Sequence, residues 1–469
     1  MCPIWPLHFI ILYLLVLAPL WVLCQAVPNL TANYTPSDFR VIMDDVAYLN
    51  VTIEGDVLYN DRFSVDVSNE NIASASWVSE HVVPADTGLW HGELEVKGNF
   101  IGRTDLRVEV SREGAGSHEV AGGVHPVVVV RPERVIDQVF IISVAVFVSL
   151  IFINFGCAMH WPTVKEVIKR PVGPAIGLAG QFIFMPLMSF ALGLAIFPDS
   201  GTMRLGMFFT GVSPGGGASN IWTFILGGNL NLSLAMTSIS TLASFVLMPA
   251  WLFSLGRVVF REAEIVVPYA RISQLVVGLF VPLFIGLCLQ KWTPKFAAFM
   301  VRILKGFSSL LLLFIIVFAI VTNLYIFELF TWQIVVAGMG IPWLGYAAGY
   351  AAARALRQPH ADALAISIET GLQNTGIAIF LLGYALHQPE ADLTTVIPVS
   401  VAIMTPVPMI AIYIGQKVWS CVCPDSSRVW ETETCPRKSW EKTSKSAQSP
   451  NSRASQPLMP EIKTTSETA

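Results

Sequence analysis

The sequence has 469 residues, 54% hydrophobic and 13% charged, with a formal net charge of −4. Soluble globular chains carry about 25% charged residues, so this composition excludes a water-soluble protein and places most of the chain in lipid. No basic stripe is present, which argues against nucleic acid as a partner.

Met1 to Ala26 reads as a secretory signal peptide. An apolar run from Phe9 to Leu23 precedes Cys24-Gln25-Ala26, small residues at the positions a signal peptidase recognises. The n-region has no Lys or Arg, so a retained anchor helix is the alternative; either way the segment that follows is exported. Of seven cysteines, Cys2 and Cys24 fall in this leader, and none lies between 27 and 156, so the exported segment is not stapled by disulfides. Cys157 and Cys288 read as small apolar residues of the spans. Cys421 and Cys423 follow the last span, either palmitoylated or unmodified.

From Val27 to about Arg134 the texture is all-β. Arg40 to Ile53, Phe63 to Val67, Glu93 to Lys97 and Thr104 to Val110 alternate polar and apolar residues between Asn, Asp and Gly clusters. The spacing fits an extracellular sandwich of immunoglobulin-like size without that fold's cysteine pair. Sequons at Asn29, Asn33 and Asn50 suit an exported, glycosylated face.

Nine apolar runs follow, each near the roughly 20 residues a bilayer requires: 135–158, 171–196, 203–227, 231–255, 269–290, 302–326, 331–353, 361–386 and 393–417. An exported N-terminus and nine crossings put the C-terminus in the cytosol. Loops then assigned inside carry nine Lys and Arg, from Lys165 to Arg357, against four outside (Arg204, Arg257, Arg261 and Arg271). That asymmetry agrees with the positive-inside rule, with 256–271 as its poor fit. Residues 418–469 are rich in Ser, Lys, Thr and Pro and read as a disordered cytosolic tail. The expected location is an integral membrane protein carried by the secretory pathway to the plasma membrane.

Two runs break the rules of a membrane helix. The third contains Ser213-Pro214-Gly215-Gly216-Gly217-Ala218-Ser219-Asn220, and one Pro with three Gly does not hold a regular helix. Unwound backbone at membrane depth is tolerated only inside protein or against a polar cavity. The eighth contains Glu369-Thr370-Gly371-Leu372-Gln373-Asn374. Glu369 lies roughly 14 Å into its run at 1.5 Å per residue, where an uncompensated carboxylate costs at least about 3 kcal/mol. A structural Glu bonded between helices is the bland explanation. Glu369 is, however, the only acidic residue deep in any run, and Gln and Asn follow it, so a cation site is preferred. The breaks fall five runs apart, an odd offset that gives two copies of a unit opposite orientations, as in inverted-repeat transporters.

The runs SPGGGASN, GGNLNLSLAMTSISTL and ETGLQN, with Gln181-Phe182 and Met185-Pro186, resemble the bile acid:sodium symporter family over about 135–417. The long exported domain is similar to that family's P3-protein branch. The resemblance implies two sodium sites and no other cofactor. The first uses Ser219, Asn220, Ser233, Thr237 and Glu369; the second uses Glu369, Gln373, Gln181 and the carbonyls of Thr370 and Leu372. Asn374, with Pro214 and Gly215, is implied to face the substrate. Oxygen ligands of this kind suit a hard cation, and Ser233 and Thr237 share a helix face at i, i+4. By themselves those two would read as a packing contact.

Leu372 stands where bile-acid uptake members usually carry Cys, and Asn374-Thr375-Gly376-Ile377 is more like bacterial members. The departure tells against a bile acid while leaving the sodium ligands intact. The implied activity is symport of an organic anion (a bile acid, steroid sulfate or other carboxylate or sulfonate) by alternating access, with no enzymatic step. Two sodium ions and a monovalent anion carry one net charge, worth about 2.3 kcal/mol at 100 mV. Half-helix N-termini offer partial positive charge to the anion.

Three rivals stand beside this reading. A transport-inactive receptor or scaffold acting through the exported domain would be favoured by loss of the sodium ligands, all of which are present. Gly211-Val212-Ser213-Pro214-Gly215 matches G-x-S-x-G, but the nucleophile elbow needs a strand-turn-helix context, and His160, His360 and His387 all lie at run ends. An ion channel would need a charge ring or filter loop, and neither is visible.

Overall fold

The computed structural model describes residues 30–422, except 56, 58–60, 83–88, 113–115, 133, 160, 170, 264 and 303–328. The leader Met1–Ala26, the Asn29 sequon, the run at 302–326 beyond Arg302 and the tail beyond Val422 lie outside the described residues.

Alternating apolar and polar residues form β1 (Leu30–Thr35), β2 (Phe39–Ile42), β3 (Val46–Gly55), β4 (Arg62–Val67), β5 (Ala73–Val82), β6 (Leu89–Gly98), β7 (Gly102–Arg112) and β8 (Gly116–Val130). Their order is β4-β7-β8-β1-β3-β6-β5, with β2 alongside β8. β8 runs parallel to β1 and β2. Every second residue turns inward, so Leu49, Val51 and Ile53 of β3 meet Trp90 and Leu94 of β6 and Leu106, Val108 and Val110 of β7 in one buried core. Trp90 packs edge-on to Trp77 at 4.9 Å and against Phe63 at 4.6 Å. The run expected from Arg40 to Ile53 is two strands, because the chain turns at Asp44 with φ 65°, a conformation Asp tolerates better than most residues.

From Val135 the pattern is helical: α1 (Val135–Ala158), α2 (Trp161–Ile168), α3 (Val172–Ala179), α4 (Met185–Ile196), α5 (Gly201–Val212), α6 (Ser219–Ile225), α7 (Leu230–Phe253), α8 (Leu255–Glu262), α9 (Tyr269–Trp292), α10 (Trp332–Ala355), α11 (His360–Gly371), α12 (Thr375–Ala385), α13 (Glu390–Met404) and α14 (Pro406–Val422). A π-turn, Gly180–Phe184, joins α3 to α4. Five stretches among the described residues are long and apolar enough to cross a membrane: Val172–Ile196, Leu230–Phe253, Tyr269–Trp292, Trp332–Ala355 and Glu390–Trp419. Runs 203–227 and 361–386 do not join them because each is divided into two short helices, α5–α6 and α11–α12.

Helices approach closely where residues are small, as membrane packing requires. A Cβ on Gly156 of α1 would lie 2.5 Å from the Leu283 carbonyl of α9, and one on Gly345 of α10 would lie 2.7 Å from the Gly371 Cα. Val277, Phe280, Val281 and Phe284 of α9 are exposed, an apolar surface that suits acyl chains rather than water.

Two differences from the sequence expectation concern chain ends and loops. The last helix continues past Lys417 to Val422, since Val418, Trp419 and Val422 keep the segment apolar. The 256–271 segment holds a short helix, α8, whose Val259 and Phe260 are buried. There Arg257 lies over the Tyr269 ring at 5.6 Å, and Glu262 pairs with Arg204 at 3.5 Å. These contacts engage two of the four basic residues assigned outside, of which Arg257 belongs to the segment that fitted the charge rule poorly.

Candidate ion-binding site at a helix crossing

The two unwound segments meet. Residues between α5 and α6 form an antiparallel bridge with those between α11 and α12, at Gly215 and Gln373. Gly216 N–H donates to the Leu372 carbonyl (2.8 Å), and Asn374 N–H donates to the Pro214 carbonyl (2.9 Å). Each break thereby satisfies part of the other's freed backbone, the condition for leaving helix inside an apolar region. Glycine is required at the contact, because a Cβ on Gly215 would lie 2.5 Å from Glu369 Oε1 and one on Gly216 would lie 2.4 Å from Leu372 Cδ2.

Four of the expected first-site residues surround the carboxylate or its immediate neighbours. Glu369, 1% exposed, accepts at Oε2 from Ser219 Oγ (2.7 Å) and Thr237 Oγ1 (2.9 Å). Asn220 Oδ1 accepts from Ser233 Oγ (2.9 Å) and lies 3.4 Å from Thr237 Oγ1. The set comes from α6, α7 and α11, three elements fixed by the crossing. Oε1 of Glu369 and Oγ1 of Thr370 are buried without a hydrogen-bond partner. Buried polar atoms ordinarily find partners. A carboxylate oxygen, three hydroxyls and an amide oxygen make a donor set that fits a small hard cation.

The second expected set also converges. Gln181 Nε2 donates to the Ser213 carbonyl (2.6 Å) and to Gln373 Oε1 (2.7 Å), while Gln373 Nε2 donates to the Thr370 carbonyl (2.8 Å). The Leu372 carbonyl is engaged by Gly216, leaving its second lone pair. Gln181 reaches this point from the π-turn, where a Cβ on Gly180 would lie 2.8 Å from Thr370 Oγ1. Asn374 caps α12, its Oδ1 accepting from Ile377 N–H (3.2 Å). Pro214 lines a small cavity of about 20 Å³ with Phe152, Ser244, Val276 and Ile377.

Three participants are not expected from the sequence. Thr223 donates to Ser233 Oγ at 3.3 Å. Ser240 lies beside Gly215, whose Cβ would come 3.4 Å from its Oγ. Trp251 donates its indole N–H to the Phe182 carbonyl (2.7 Å), pinning the π-turn to α7. A signal existed for Ser240, since Ser233, Thr237, Ser240, Thr241 and Ser244 recur at three- and four-residue spacing and all are buried. Trp251→Phe removes the donor and is expected to lower thermal stability by about 1–3 kcal/mol. Thermal unfolding in detergent checks this; an unaltered midpoint would show that the bond does not hold the turn.

A buried carboxylate among hydroxyl and amide groups, where two broken apolar helices cross, marks a polar site inside a membrane protein. Comparison with known proteins is more specific. The Sodium Bile acid symporter family pattern matches residues 145–328. The P3 protein of Homo sapiens is 31% identical over 278 residues, covering 59% of this chain and 58% of that protein. The ileal sodium/bile acid cotransporter of Oryctolagus cuniculus is 31% identical over 255 residues, 54% of this chain and 71% of the relative. The sodium-dependent organic anion transporter of Rattus norvegicus is 31% identical over 250 residues, 52% and 65% respectively. The chain belongs to the sodium bile acid symporter family, is an integral membrane protein, and is not an enzyme. It spans about 58% of the length of the P3 proteins it matches.

Proposed function

We propose that this chain is a sodium-coupled symporter of an organic anion working by alternating access. Glu369 carries the proposal: a buried carboxylate with one oxygen unpartnered, ringed by hydroxyl and amide groups from two other helices. One sodium ion would be held by Ser219, Asn220, Ser233, Thr237 and Glu369. A second would be held by Glu369, Gln373, Gln181 and the carbonyls of Thr370 and Leu372, after the Gln181–Gln373 pair rearranges to turn oxygens inward. The anion would sit beside Asn374, Pro214 and Gly215, near the start of α12. The relatives named as sodium/bile acid and organic anion transporters support this class of substrate.

On this reading residues 135–417 make nine crossings in two inverted units, with α5–α6 and α11–α12 as equivalent broken members. Residues 1–26 are a leader, 27–134 an extracellular sandwich-like domain, and those past the last helix a cytosolic tail. The protein would travel the secretory pathway to the plasma membrane, N-terminus outside.

Uptake of a panel of steroid sulfates, bile acids and small carboxylates by transfected cells, with and without sodium, tests the proposal. At least one is expected to enter in a sodium-dependent way. A surface-expressed protein that moves none of them sinks it. Orientation has a separate check. Asn33 and Asn50 are exposed and lie on adjacent strands, Asn33 opposite Thr52 and Asn50 opposite Thr35. With Asn29 they are expected to carry glycans, and a shift on glycosidase treatment should shrink as each is changed to Gln. The sequon at Asn231, at the other end of its span, should contribute no shift; glycosylation there inverts the topology.

A further inference from the structure

Two arginines of the strand domain reach the helical domain. Arg103 of β7 pairs with Glu390. Arg131, just after β8, pairs with Asp392 at 3.0 Å. Both carboxylates lie in the first turn of α13. The Arg131 and Asp392 side chains are 11% and 14% exposed, so this is not a solvated surface pair of the kind that contributes little, whereas Arg103, 60% exposed, is the weaker partner beside it. The Gln388 amide, oriented so that both its atoms pair, donates to the Arg131 carbonyl (3.3 Å) and accepts from Arg131 Nε (3.1 Å).

The location of this contact gives it a consequence. Arg131 precedes Val135, the first residue of α1, by one short linker, so its grip on Asp392 ties the start of α1 to the start of α13. α1 packs backbone-close on α9 through Gly156 and Gly286. α13 packs backbone-close on α5, where a Cβ on Gly206 would lie 2.3 Å from the Thr394 carbonyl, and α5 leads into the crossing. The cavity lies between these two groups, with Phe152, Val276 and Leu279 from α1 and α9 on one side and Ser244, Ile377 and Leu381 on the other. At about 20 Å³ it has room for roughly one water molecule. A larger molecule needs the cavity's lining to move apart.

We propose that the strand domain is a tether: through Arg131–Asp392, with Arg103–Glu390 beside it, it holds the α1–α9 pair against the broken-helix group. The cavity then opens toward the strand-domain face only when this contact breaks. The proposal goes beyond the transport reading, and its test needs neither sodium nor a transported anion.

A cysteine at Val276, in the full chain at the cell surface, reports the opening through its rate of modification by a membrane-impermeant methanethiosulfonate. The same chain without that cysteine gives the background. Adding Arg131→Gln is expected to raise the rate roughly tenfold, within the range of ordinary two-state coupling. Reversing the pair, Arg131→Asp with Asp392→Arg, should restore the slow rate. Should Arg131→Gln not reach the surface, Arg131→Gln with Asp392→Asn leaves no lone buried charge at this pair and carries the same expectation. Labelling that is unchanged or slower in the surface-expressed variant, or as fast in the reversed pair as in the single one, overturns the tether. Uptake can fail while labelling shifts, and the reverse, so this proposal and the transport reading fall separately.

Discussion

Glu369→Gln is expected to abolish sodium-dependent uptake while leaving the protein at the cell surface. The two oxygens of Glu369 do different things: Oε2 accepts from Ser219 and Thr237, and Oε1 has no partner. A Gln side chain keeps the shape and can still accept both hydroxyls through its amide oxygen, so the crossing should fold. What it loses is the negative charge, which nothing else in the site replaces. A carboxylate at this depth costs at least about 3 kcal/mol alone, and hydrogen bonds to a charged group return about 1.5–3 kcal/mol each. The two nearly cancel, so in sodium-free buffer the variant should be about as stable as the parent. Sodium should separate them. A ligand at a hundred times its Kd adds about 2.7 kcal/mol to the state that binds it, so the parent's melting temperature should climb with sodium and the variant's should not. Equal sodium stabilisation of both proteins would mean that the ion binds elsewhere.

Gly215→Ala is expected to have the next largest effect. Its Cβ would lie 2.5 Å from Glu369 Oε1 and 3.4 Å from Ser240 Oγ. Either the carboxylate swings away from Ser219 and Thr237, or the bridge to Gln373 opens. Overpacking of this kind costs about 1–3 kcal/mol, and each 1.4 kcal/mol is tenfold in an equilibrium constant. Sodium titration of uptake should therefore show a half-saturating concentration raised about tenfold or more. Gly217→Ala is the control. Its Cβ would first meet the Phe155 ring at 3.1 Å, a side chain with room to give, and the expected change is small. If the two variants behave alike, contact with Glu369 is not what Gly215 protects.

Much of this site is legible one residue at a time. Glu369 announces itself because an acidic residue in an apolar run has few innocent explanations. The run Ser213 to Asn220 does so because Pro and Gly cannot sustain a helix wherever the chain goes. Thr223 and Ser240 are silent for the opposite reason: a hydroxyl on a membrane helix bonds its own backbone as readily as a ligand, and only neighbours from other helices distinguish the two. Trp251 is silent because its partner, Phe182, lies 69 positions away, and the π-turn that offers the carbonyl has no distinctive composition.

Local chemistry alone, then, determined that the chain enters lipid, that alternating strands precede the helices, that two helices break, and that a lone deep carboxylate marks one break. These follow from hydropathy, period and backbone sterics, which act within a few residues. Only the tertiary structure decided that the two breaks bridge each other at Gly215 and Gln373, that Oε2 of Glu369 gathers hydroxyls from two other helices, and that Arg131 grips Asp392. Those outcomes depend on distances between residues remote in the chain, set when small residues let helices close to backbone contact. The pairing of the two broken segments is where the kinds of information meet, since sequence put a break in each helix and packing turned them toward one another.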